Sequence, residues 1–329
     1  MSGWEMQNAI SVSSLTKNYD EVRAVDGISF EIKEGELFGF LGPNGAGKTT
    51  TIIMLTGLAR PDEGKIHIAD IDCSKNVKSA QHLMGVVPDE SNLYTELTGF
   101  ENLCFCGALY GMKKQDREKK AHELLEKFSL TEAGGRKFAG YSKGMKRKLV
   151  IAAGIIHDPP ILFLDEPTTG IDVASTRLIR QLIIELNNSG KTIFLTTHYI
   201  EEAERLCQRI AFIVSGKIVR IDSVENLLQQ VKGRYVVQFT VSKASADLCS
   251  KIELDFPDME CELISNEIVQ IQRGQPILVA PLVRFFEDQG VEVTEARKVR
   301  PSLEDVFVKI TDIKAEAMKK EKEKAGGKA

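Results

Sequence analysis

Residues 42–49 read GPNGAGKT, a loop of the pattern G-x-x-x-x-G-K-[ST], and no other stretch constrains the fold of this chain as tightly. The apolar run LFGFLG leads into it and TTTIIMLTGLA leads out, so the loop joins a strand to a helix. Gly42, Gly45 and Gly47 let the backbone curl around the compact residues Pro43, Asn44 and Ala46. Successive N–H groups then face one anionic group, helped by the partial positive charge at the helix start. Lys48 is placed to reach the β and γ phosphates of a nucleotide, and the Thr49 hydroxyl to offer an oxygen to Mg²⁺. Thr50, next in the same turn, completes the phosphate-binding set.

A second acidic motif narrows the chemistry. ILFLDEP puts Asp165 and Glu166 directly after four apolar strand residues. Asp165 suits a Mg²⁺ ligand, direct or through water, and Glu166 a group that orients and deprotonates an attacking water. A guanine-reading N/T-K-x-D is missing after the phosphate loop; the nearest string, TKNYD from Thr16, precedes it, which argues against a GTPase.

Strand-like and helical runs alternate through the first two-thirds, predicting an α/β domain over 1–230. ISFEIKEGELFGFLG reads as two strands in a hairpin about Glu34-Gly35, and the first helix runs on until Arg60-Pro61. The pattern turns helical over about 88–157, a helical subdomain, before ILFL, a helix over about 176–186 and TIFLTT. RIAFIV and KIVRID form a hairpin about Ser215-Gly216. Residues 231–312 then read β-α-β-β-α-β, a ferredoxin-like α+β domain. The last stretch, 313–329, is almost all Lys, Glu, Ala and Gly and cannot build a core.

At 43% hydrophobic residues and a net charge of −4, the chain has no global basic field, so nucleic acid is not an expected partner. No run approaches the roughly 18 apolar residues of a membrane helix; LVIAAGII, Leu149 to Ile156, stops at charge and proline. The N-terminus lacks a basic region followed by an apolar run, so no secretory signal is expected. Six scattered cysteines, with a C-x-C pair at 104 and 106 but no second pair, read as reduced thiols.

The remaining motifs, in their order, resemble the ATP-binding domain of ABC transporters. Tyr19 matches the aromatic that stacks on adenine in that family. YSKGMKRKL, Tyr141 to Leu149, resembles the signature, in which Ser142 and the N–H of Gly144 contact the γ phosphate of ATP held by the opposite subunit. Gly170 to Asp172 matches the D-loop, and His198, in FLTTHYIEEAERL, the switch histidine that touches the γ phosphate near Glu166. The resemblance covers about Leu15 to Asp222. It implies a P-loop NTPase of the ABC type that binds ATP and Mg²⁺, works as a homodimer, and drives an integral membrane permease. The protein is then cytoplasmic, held on the inner face of the membrane by that permease. PSLEDVFVKITD resembles the ending of exporter-type subunits for drugs, sodium, antibiotics or polysaccharides.

Two places depart from the family. MGVVPDESNLYTEL resembles the Q-loop segment, yet Asp89 stands where glutamine supplies an oxygen to Mg²⁺; a carboxylate still suits that ion. The signature carries Lys143 for glycine and Met145 for glutamine. The alternative function, a soluble ABC-type ATPase acting on nucleic acid or ribosomes, is opposed by the single nucleotide motif set and the lack of a basic stripe.

Overall fold

The computed structural model describes residues 7–229, 235–299 and 302–311. The charged stretch at 313–329 and the expected domain junction at 230/231 lie outside the described residues. Two compact units meet in sequence between Val224 and Glu225.

The first unit opens with β1 (Asn8–Tyr19), β2 (Val22–Lys33), β3 (Leu37–Leu41) and α1 (Lys48–Leu55), then β4 (Glu63–Ile68), β5 (Ile71–Asp72), α2 (Cys73–Gln81) and β6 (Met84–Val87). The helices α3 (Gly99–Leu109), α4 (Lys114–Lys127) and α5 (Lys143–Gly154) come next. After them run β7 (Ile161–Asp165), α6 (Val173–Asn188), β8 (Thr192–Thr197), α7 (Ile200–Leu206), β9 (Arg209–Val214) and β10 (Lys217–Ser223).

These strands form two sheets. One has the order β2-β1-β4-β5 and is antiparallel. The other has the order β10-β9-β3-β8-β7-β6, parallel except for the β9–β10 hairpin about Ser215-Gly216. All residues of β3, β7 and β8 are buried, as central parallel strands covered on both faces require. Phe30 of the antiparallel sheet stacks on Phe38 and Phe194 of the parallel one at 5.8 and 6.0 Å, so aromatic rings bridge the sheets.

That bridge corrects one expectation. β2 and β3 do not pair about Glu34-Gly35; they belong to different sheets. Five consecutive buried residues in β3 need parallel neighbours on both edges, β8 and β9, which a hairpin partner would displace. The first helix is also shorter than expected, ending at Leu55, where Gly57 turns the chain with φ 73°.

At the boundary lies α8 (Val224–Gln229), followed by β11 (Tyr235–Val241), α9 (Ala246–Asp255), β12 (Glu260–Ser265), β13 (Ile268–Arg273), α10 (Val279–Asp288), β14 (Val293–Val299) and α11 (Leu303–Thr311). The sheet order β12-β13-β11-β14, all antiparallel, is the ferredoxin-like arrangement. Its own core includes Val237, Phe239, Leu248, Ile252, Val269, Ile271 and Phe286.

Candidate functional site

The phosphate loop leaves β3 at Leu41 and enters α1 at Lys48. Gly47 caps the helix with φ 103°, and a side chain there would overlap the Ala24 carbonyl oxygen. Ala46 is anchored from both sides: its N–H donates to Pro43 O at 3.2 Å, and its carbonyl accepts from Gly216 N at 3.0 Å. The loop above therefore keeps its curl while Asn44 and Gly45 stay exposed.

A cavity of about 470 Å³ opens over this loop. Asn44, Gly45, Gly47, Lys48, Thr49, Thr50, Asp89 and Glu166 line it, together with Val22, Arg23, Ala24, Ser215 and Gly216. Gly42, Pro43 and Ala46 are in the loop but outside the lining. Lys48 is buried; its ammonium donates to Gly42 O at 2.8 Å and Pro43 O at 3.0 Å, and lies 3.4 Å from Glu166 Oε1.

Strand ends deliver the acids. Asp165 closes β7, where Thr49 Oγ1 of α1 donates to its Oδ2 at 3.0 Å and Thr196 Oγ1 of β8 donates to its Oδ1. Three hydroxyl and carboxylate groups from separate elements thus converge, an oxygen donor set that suits Mg²⁺. Glu166 follows with φ 48°, in the left-handed region unusual for a side-chain-bearing residue. Its N–H donates to Thr196 O at 3.1 Å. Its Oε2 lies 2.6 Å from His198 Nδ1 and accepts from Thr169 Oγ1 at 3.0 Å. A carboxylate only accepts, so Nδ1 carries the proton of that pair. Burial raises the pKa of Glu166, but the His198 bond and the Lys48 charge outweigh it and hold the carboxyl below its ordinary value.

The other expected residues lie apart from the cavity lining. Tyr19 ends β1, is 44% exposed, and holds the Lys17 ammonium 5.5 Å above its ring. Val22, Arg23 and Ala24, just beyond it, are the residues that reach the lining. Ser142 caps α5 by accepting from Met145 N at 3.3 Å. Gly144 is buried against α6, where a side chain would overlap Ser175 Oγ. Asp172 caps α6, accepting from Ser175 N at 2.9 Å and Ser175 Oγ at 2.7 Å. Lys143 is exposed.

Two buried polar residues near the acids escaped the sequence reading. Arg147 of α5 donates to four backbone carbonyls around them. Glu202 of α7 accepts from Thr168 Oγ1 at 2.6 Å, and burial raises its pKa. Arg147 sits in a Lys-Arg-Lys run that reads as a solvated face; only its helical phase with Gly144, Ile151 and Gly154, all buried, marks it as inward.

A glycine loop on a helix N-terminus, a lysine at its base and an acid pair at the end of β7, one strand removed from β3 in the same parallel sheet, together define a phosphate-loop nucleotide hydrolase. The ABC transporter family model matches residues 25–169. Daunorubicin resistance ATP-binding protein DrrA2 of Streptomyces coeruleorubidus is 34% identical over 310 residues, covering 94% of this chain and 96% of its own. Linearmycin resistance ATP-binding protein LnrL of Bacillus subtilis is 42% identical over 233 residues, 71% of this chain and 75% of that one. The Nod factor export ATP-binding protein I of Paraburkholderia xenovorans is 35% identical over 310 residues, with 92% and 97% covered. Among solved structures, the dimeric post-hydrolysis cassette MJ0796 bound to ADP and Pi superposes with a TM-score of 0.61 at 28% identity, over 65% of this chain and 98% of that one. The chain belongs to the ABC transporter family as an ATP-binding subunit, and ATP hydrolysis is its chemistry.

Proposed function

We propose that this subunit powers export through a separate integral membrane permease, acting as a homodimer that closes on ATP and reopens after hydrolysis. Full-length similarity to resistance and export ATP-binding proteins supports the export reading. Among the described residues no helix is long and apolar enough to cross a membrane, so the transport path is assigned to the permease. The subunit then sits on the cytoplasmic face, held there by that partner.

In this reading Gly42, Pro43, Asn44, Gly45, Ala46, Gly47, Lys48, Thr49 and Thr50 cradle the phosphates, and Tyr19 stacks on adenine. Thr49, Asp165 and Asp89 hold Mg²⁺, which neutralises phosphate charge. Glu166 orients the water and accepts its proton, while His198 fixes the carboxylate through Nδ1. Lys48, 3.4 Å from Glu166 Oε1, also links the phosphate cradle to this base. Ser142, Gly144 and Asp172 meet the nucleotide and surface of the second copy, closing the dimer around two ATP molecules.

The observation that carries the hydrolytic role is the hydrogen-bonded Glu166–His198 pair beside Lys48. Replacing Glu166→Gln keeps the shape and removes the base. The variant is expected to bind ATP, to lose about 10²-fold or more in kcat, and to accumulate as an ATP-dependent dimer on size exclusion. A Glu166→Gln protein that stays monomeric at saturating ATP overturns the dimer reading.

A further inference from the structure

Arg147 lies five residues after Ser142 on α5 and is 7% exposed. Nε donates to Pro167 O at 2.7 Å, and Nη2 to Asp165 O at 2.6 Å. Nη1 donates to Pro88 O and, at 3.1 Å, to Asp89 O. The first two acceptors flank Glu166, whose φ of 48° needs outside support to persist. Thr196 O holds the Glu166 N–H, so the residue's backbone is held through its own N–H and through the carbonyls before and after it. The other two acceptors belong to the segment after β6 that brings Asp89 to the nucleotide cavity. Burial disfavours the guanidinium charge and lowers its pKa, only partly offset by the negative charge of Asp89, Asp165, Glu202 and Glu166, so the four carbonyl acceptors matter to this buried group.

One planar, rigid group therefore ties three things together: α5, the turn carrying Glu166, and the loop carrying Asp89. We propose that Arg147 is a positioning residue through which the start of α5 sets the aim of Glu166 and Asp89 in the same subunit. This rests on the dimer reading above, in which Ser142 and Gly144 at that helix start touch the partner's ATP. A shift of the first turn of α5 moves the guanidinium with it, and the four bonded carbonyls follow. Nucleotide at one site thereby adjusts the acids of the other, which makes the two sites cooperative. Lysine does not substitute: its three rotating donors around a point charge cannot hold two separate backbone segments in a fixed fork.

The test compares full-length wild type, Arg147→Lys and Arg147→Gln. Fluorescent-ATP affinity, steady-state ATPase against ATP concentration, and melting temperature are measured on each. The expected result is ATP affinity within about threefold of wild type, kcat lower by about 10²-fold, and a Hill coefficient falling to about 1. Both variants behave alike, because retained charge without the fork does not restore aim. Wild-type kcat and cooperativity in Arg147→Gln overturn the proposal, as does a loss of ATP affinity and melting temperature in step with kcat at an unchanged Hill coefficient. Non-cooperative hydrolysis by wild type itself, with Glu166→Gln monomeric, instead brings down the dimer reading and the link between sites that depends on it.

Discussion

At the scale of single residues, burial shifts protonation wherever no partner offsets it. His157 shows this away from the nucleotide site: it stacks on Tyr110 with ring centroids 3.4 Å apart, and its Nε2 lies 3.0 Å from Met84 O. Burial pushes its pKa down to about 4. The folded state holds the imidazole neutral, whereas the unfolded chain protonates it below about 6.5. Its contribution is therefore full above about pH 6.5 and is lost as pH falls through about 4. We predict that the unfolding free energy of wild type, from urea titration, drops between pH 7 and 5 by about 1 kcal/mol more than that of His157→Phe, after allowing for partial exposure. Equal drops would show that His157 titrates normally. Asp165, Glu166 and Lys48 were legible as candidate site residues because their motifs fix residue type and spacing. Arg147 was not, because its four acceptors come from segments 18 to 59 positions away.

Among the elements, α3 depends on a single buried amide. Thr98 and Glu101 form a capping box at its start. Asn102, fully buried one turn on, accepts from Tyr94 N at 2.9 Å through Oδ1 and donates from Nδ2 to Tyr94 O and Thr98 O, both at 3.0 Å. It fastens the preceding loop, residues 94–98, onto the helix. Asn102→Ala leaves the Tyr94 N–H without that acceptor, at a cost of about 2 kcal/mol. Chemical denaturation checks this, and a change under about 0.5 kcal/mol would mean water replaces the amide. Helices with caps and periodic faces were readable in this region. The role of β3 was not, since five apolar residues in a row fit a hairpin arm and a central parallel strand equally well.

Over the whole molecule, each of the two units carries its own apolar core among the described residues. The first spans both sheets of the nucleotide unit and the second fills the ferredoxin-like unit. The cavity over the phosphate loop belongs to the first unit, so calorimetry is expected to resolve two transitions. ATP at about a hundredfold over its Kd adds about 2.7 kcal/mol to one of them and leaves the other in place. A single transition that moves as a whole with ATP would mean the units unfold together. The sequence by itself determined the class of chemistry, ATP hydrolysis, through a phosphate loop and an acid pair whose backbone curl and charge placement suit a nucleotide; the histidine was legible only through family order. A change of period near residue 230 pointed to a second part, whereas the two compact units part in sequence between Val224 and Glu225. Only the tertiary structure decided which strands are neighbours, that Lys48 rests against Glu166, and that one arginine of α5 holds both flanks of that glutamate. Those contacts join residues far apart in the chain, and local periodicity carries no information about them.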